Sequence, residues 1–149
     1  MLSQATLRNP WVTAAAGFLL ASALFLGRDL RAADVPPPKV MVKTAFSEKL
    51  PNVPGHTLTG VHVTYAPGGK SGPHFHAGSV YAYVLSGQVR SKNSALGPVR
   101  VYSAGEGFFE TPGSEHEISE NASDTDPASL LAIFVAEDGA QLSRPNPAR

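Results

Sequence analysis

The chain has 149 residues, no net charge at pH 7 and only 16% charged residues, which is the length of one domain and leaves no basic stripe for a nucleic-acid partner. It has no cysteine, so disulfides, thiolate metal sites and cysteine nucleophiles are excluded. With 14 glycines and 13 prolines, turns are frequent, and many short strands are expected rather than long helices.

Residues 1–10 are polar with one basic side chain, Arg8, and Trp11–Gly27 then runs without a charge. The run is long for the apolar core of a signal peptide and short for a membrane span, which needs about 20 residues. Arg28 and Arg31 follow it, and no clean small-x-small cleavage site does. Residues 1–33 are therefore expected to be an apolar export or anchor helix, a cleaved signal peptide or a retained membrane anchor, outside the folded domain. That would put the domain in the periplasm or on the outer side of a membrane. Residues 34–39, with three successive prolines, read as a stiff spacer.

From residue 40 the chain is a series of strand-like runs. Val40–Thr44 is short and apolar, and Thr57–Tyr65 is rich in β-branched and aromatic residues. Val80–Leu85 and Val89–Ser91 flank Ser86-Gly87, which reads as a hairpin turn. Ser91–Pro98 reads as a polar loop. Val99–Tyr102, Gly107–Glu110 and His116–Ser119 follow, and Leu130–Val135 is a continuous apolar run suited to a buried strand. Residues 137–149 read as a C-terminal tail. No segment within the domain has a sustained helical period. The expectation is an all-β sandwich or barrel over residues 40–136.

Two histidines, His74 and His76, stand two apart after the Gly/Pro-rich turn Gly68–Pro73. On a strand, residues i and i+2 face the same way, so both imidazoles project from one face. A third, His116, follows the second turn, Thr111-Pro112-Gly113. Neutral imidazoles on rigid backbone, with open positions left for substrate, are what a divalent transition metal (Fe, Mn, Ni or Zn) requires. His62 has two readings, a barrel-facing partner or an outer-face residue, and His56 reads as exposed. Tyr65, Tyr83, Phe75, Phe108 and Phe109 read as core or pocket wall. Asn121-Ala122-Ser123 matches a glycosylation sequon but reads as a turn.

The spacing Gly68-x5-His74-x-His76-x3-Val80-x6-Gly87 resembles the first motif of the cupin superfamily, and Gly105-x5-Thr111-x-Gly113-x2-His116 resembles the second. The resemblance spans about residues 40–136 and implies a double-stranded β-helix, a jelly-roll barrel with the site in its mouth. Thr111 stands where the family has Pro, with Pro112 beside it. Val80 stands where the family has a ligand Glu, and valine cannot bind metal. Three readings follow. His74, His76 and His116 form an all-histidine site, as in some cupin oxygenases. Glu110, at the end of the strand before the second turn, supplies the missing carboxylate. Or the metal is lost and the pocket binds a ligand by hydrogen bonds alone.

The resemblance implies a metal-binding protein acting on a small molecule, with a dioxygenase-like enzyme as the leading class. The alternative is a non-catalytic small-ligand-binding module outside the cytoplasm. Many cupins dimerise, and Val40–Thr44 is the strand expected to serve a homodimer.

Overall fold

The structure, a computed structural model, describes residues 38–146, which lie within one compact unit, Pro36–Arg149. The expected export or anchor helix at residues 1–33 and most of the spacer lie outside the described residues. Among those described, every regular element is a β-strand: β1 Val40–Lys49, β2 His56–Tyr65, β3 Lys70–Ser71, β4 His74–His76, β5 Ser79–Ser86, β6 Gln88–Asn93, β7 Arg100–Ser103, β8 Gly107–Glu110, β9 Glu115–Asn121, β10 Ala128–Glu137 and β11 Ser143–Pro145. They form two antiparallel sheets. One has the order β1-β2-β10-β5-β8, and the other β11-β4-β9-β6-β7 with β3 also on β9.

The sheets face each other because their strands alternate. In β10, Leu130, Ala132, Phe134 and Ala136 are buried, while Leu131, Ile133 and Val135 between them are half-buried on the outer face. Val80, Ala82 and Val84 of β5 and Val89 of β6 meet them inside, with Tyr65, Tyr102 and Phe108. This is the sandwich that the period-2 patterning predicts. The apolar run Leu130–Val135 is thus the central strand of its sheet, paired on both edges. Tyr65 and Phe108 are core residues as expected. Tyr83 and Phe109 instead sit on the outer face and are exposed.

Three expectations are corrected. Ser86-Gly87 is not a hairpin turn: β5 and β6 belong to different sheets, and a single linking residue is too short to close a two-stranded ladder. Gly87 has φ +67°, and a Cβ there would run into the backbone at Pro127 and Ala128. It is a corner where the chain changes sheets, and only glycine fits. Gly87→Ala is expected to cost about 2 kcal/mol, read as a drop in melting temperature of roughly 10 °C. An unchanged melting temperature would refute the corner's role. The polar loop begins later than expected: the strand read as ending at Ser91 runs on to Asn93, which is buried. Finally, the C-terminal tail contains β11, which pairs with β4 in the register Ser143↔His76, Arg144↔Phe75 and Pro145↔His74. A three-residue strand with a proline has no sequence period to reveal it.

Candidate metal centre

β4 places His74 and His76 on one face, as strand parity requires. β9 pairs beside it with His74 directly opposite His116. Strand parity alone would turn His116 away from Ser119 and Asn121, the buried residues further along β9. The β6–β9 register shifts between Lys92 and Asn93: Lys92 opposes Ile118, while Asn93 opposes His116. Glu117 is therefore a bulge residue, and the extra residue resets the phase so that His116 also points inward. The Lys92 Nζ–Glu117 Oε2 pair at 2.7 Å lies beside that bulge.

The ligand atoms of His74, His76 and His116 lie within 4.8 Å of one another, and the three could hold a metal ion. Two of the rings are fixed by backbone. His74 Nδ1 donates to the Gly72 carbonyl at 2.7 Å, and His76 Nδ1 donates to the Leu142 carbonyl at 3.2 Å. A carbonyl only accepts, so in each neutral ring the proton is on Nδ1 and the lone pair on Nε2. Those two Nε2 atoms face each other at 3.2 Å, with no proton left to share. Two nitrogens about 2.1 Å from one ion stand roughly 3.0 Å apart at a right angle and roughly 3.4 Å apart at the tetrahedral angle. The observed gap falls between these values. The donor set and its geometry fit a divalent metal.

Glu110 joins the cluster. Its Oε1 is 3.2 Å from His116 Nδ1 and its Oε2 is 3.7 Å from His76 Nε2. In the sheet, Glu110 is the direct cross-strand partner of Val80, and both side chains are buried. A carboxylate missing from β5 is thus present one strand over, at the same level of the barrel. The sequence pattern could nominate Glu110 only by its place before a turn.

Burial decides the protonation states. It pushes His76 down to about 4 and His116 down to about 3, with the neighbouring imidazoles adding to the effect. Both rings are neutral at pH 7, as ligation requires. Burial raises Glu110 to about 7, opposed by a hydrogen bond from Asn93. With both rings neutral, the Glu110 approaches at 3.2 and 3.7 Å are not ion pairs, and the longer one is beyond hydrogen-bond range. A dication among them would favour the carboxylate form.

Several supporting residues have no sequence signal. Asn93 Nδ2 donates to Glu110 Oε2 and to Ser114 Oγ, each at 2.9 Å, which orients the carboxyl. Ser91 Oγ is 2.9 Å from His116 Nε2, and the Tyr65 hydroxyl is 2.7 Å from Ser119 Oγ. Serines and asparagines in a polar stretch look like loop until the fold buries them. His62 lies on the parity opposite to Val61 and Tyr65, on the outer sheet face, and His56 is half-buried at the start of β2. Neither joins the cluster. The Asn121 side chain is buried and donates to the Ala66 and Asp126 carbonyls, so the sequon is a structural turn.

A family model described as a cupin domain matches residues 61–134. No curated protein sequence matches the chain significantly. Among solved structures, a cupin-like protein from Thermotoga maritima is 18% identical with a TM-score of 0.55, over 72% of this chain and 75% of the other. A recombinant oxalate oxidase in complex with glycolate is 24% identical with a TM-score of 0.53, over 70% and 55%. The DMSP lyase DddQ from Ruegeria pomeroyi is 18% identical with a TM-score of 0.52, over 60% and 43%. The chain spans about half the length of the oxidase and lyase chains. At these identities the likeness is one of fold.

Proposed function

This chain is a member of the cupin superfamily, and from that premise we propose that it is a metal-dependent enzyme of dioxygenase-like type acting on a small molecule, with His74, His76, His116 and Glu110 as the metal ligands. One observation carries the reading: the facing Nε2 lone pairs of His74 and His76, 3.2 Å apart, with His116 and Glu110 beside them. Three imidazoles and one carboxylate leave two positions of an octahedral ion for substrate and a second small molecule. A bound Fe, Mn, Ni or Zn ion would supply Lewis acidity, and Fe or Mn also redox chemistry.

The chain's own part is to hold and orient. The Gly72 and Leu142 carbonyls fix the tautomers of His74 and His76. Asn93 holds Glu110, and Ser91 holds the far side of His116. The apolar lining around His76 and Phe134, whose rings meet at 5.1 Å, limits water access. Export through the apolar run of residues 11–27 and homodimerisation through β1 belong to the same proposal. The exposed Met41, Val42 and Phe46 on that edge strand support the dimer.

A second reading, a non-catalytic ligand-binding pocket, is favoured by the protein hydrogen bonds that Glu110 and His116 already have, from Asn93 and with Ser91. The test is reconstitution of the full chain with Fe(II), Mn(II), Ni(II) or Zn(II), followed by measurement of bound metal. One ion per chain is expected, and a chain that stays metal-free in all four sinks the enzyme reading. Oxygen uptake that requires both the metal and an added small organic substrate then separates enzyme from binding pocket.

A further inference from the structure

A cavity of about 470 Å3 lies on the open side of the histidines, with His74 and His76 on its wall. The rest of the wall is dominated by Val42, Val61, Ala132, Phe134, Leu142 and Pro145, and no Lys, Arg, Asp or Glu side chain lines it. Its volume is in the range of small-molecule sites. Behind the same two histidines is a second chamber of about 50 Å3, lined by Glu110, His116, Tyr65, Ser71 and Ser119 among others. That space holds one or two water-sized groups and no more. The site therefore has a small inner chamber, where Glu110, His116, Tyr65 and the serines meet Ala82, Phe108, Leu130 and Ala132, and a larger, mainly apolar outer one, with His74 and His76 on the walls of both.

The outer chamber sets what can bind. Oxalate can chelate the ion through both carboxylates, but its outer oxygens would meet Val, Ala, Phe and Leu side chains with no Lys or Arg to pair them, and it would leave that apolar wall unfilled. A molecule with one metal-binding head and an apolar body satisfies both chambers. Resting on the metal-site reading above, we infer that the ligand is a small molecule with one metal-binding head group and an uncharged aliphatic or aromatic body, and that β1 and the C-terminal segment select it. Val42 stands at the rim on β1 and is 68% exposed. Leu142 comes from the segment after β10. The walls that recognise the body are thus the first and last parts of the domain.

The experiment uses the full chain loaded with Co(II), whose visible absorption reports both loading and ligand exchange. Straight-chain hydroxamic acids from acetohydroxamic to octanohydroxamic acid, whose head group gives up its proton on chelating the metal and whose body is uncharged, are titrated alongside oxalate. Affinity is expected to rise roughly threefold to fourfold per methylene until the chain fills the cavity, with oxalate weaker than the four-carbon hydroxamate. In Val42→Arg, at the exposed cavity rim, the gain with chain length is expected to flatten, with size-exclusion chromatography checking that the variant keeps the oligomeric state of the unmodified chain. Oxalate is expected to bind roughly fivefold to tenfold tighter there. An affinity independent of chain length, or oxalate binding tightest to the unmodified chain, overturns the inference.

Failure of Co(II) to load is failure of the metal reading instead, and the chamber is then tested on the metal-free chain. There, 1-butanol, 1-hexanol and 1-octanol should shift the amide NMR signals of Val61, Ala132 and Leu142 with increasing affinity. No shift of these signals overturns the apolar chamber whether or not metal binds.

Discussion

Glu110→Val is expected to weaken metal binding about 100-fold, the upper end of what losing a supporting group costs and a lower bound for a ligand. His76→Ala, which removes a nitrogen outright, is expected to cost at least as much. The informative variant is the exchange Val80→Glu with Glu110→Val. The two positions oppose each other across the β5–β8 ladder, where paired Cβ atoms lie about 5 Å apart on one face. Moving the carboxylate from β8 to β5 keeps it against the same histidines, so affinity is expected to return to within about tenfold of the original chain. Isothermal titration with Ni(II) or Zn(II) measures all three, and thermal melting confirms that each is folded. Glu110→Val at full affinity would mean that three histidines suffice. An exchanged chain no tighter than Glu110→Val would mean that the β5 position does not reach the ion.

Deleting residues 141–149 is expected to damage both the fold and the centre. The deletion removes the Leu142 carbonyl that accepts from His76 Nδ1, at 3.2 Å. It also removes the β11 ladder on β4 and the hydrogen bond that the Asn146 backbone N–H donates to the Pro73 carbonyl, at 3.0 Å. Leu142 itself packs against the core. Losing one partly buried leucine and a few backbone hydrogen bonds is worth about 2–3 kcal/mol, so melting should fall by about 10 °C or more. Freed at Nδ1, His76 can adopt the other tautomer, and metal affinity is expected to fall about tenfold. A truncated chain with full affinity and an unchanged melting temperature would return the segment to the status of a dispensable tail.

The histidines were legible in the sequence because their geometry is local. His74 and His76 share a face on any strand, and the flanking glycines mark the turns that deliver them. The apolar runs Thr57–Tyr65, Val80–Leu85 and Leu130–Val135 likewise announce an all-β domain, since alternation is a property of the strand itself. The missing ligand at Val80 was equally plain, because its position is fixed by spacing from the pair.

What the sequence could not decide depends on which strands become neighbours. Glu110 and Val80 are 30 positions apart by their numbering, and only the β5–β8 register puts one opposite the other. Parity would have turned His116 away from Ser119 and Asn121, and it is the bulge at Glu117 that brings it into line with them. Asn93 reads as loop, and Ser91 as the place where strand gives way to loop, because polar residues carry no core signal. They are strand residues because β9 pairs with β6 and buries them against His116 and Glu110. Leu142 lies in a stretch too short and too proline-rich to have a period, yet it closes the barrel over His76. The sequence by itself determined the fold class and three nitrogen donors, because period and spacing are local. The tertiary structure alone decided the position of the carboxylate, the tautomers of the rings and the apolar wall, because each is a contact between strands distant in the chain.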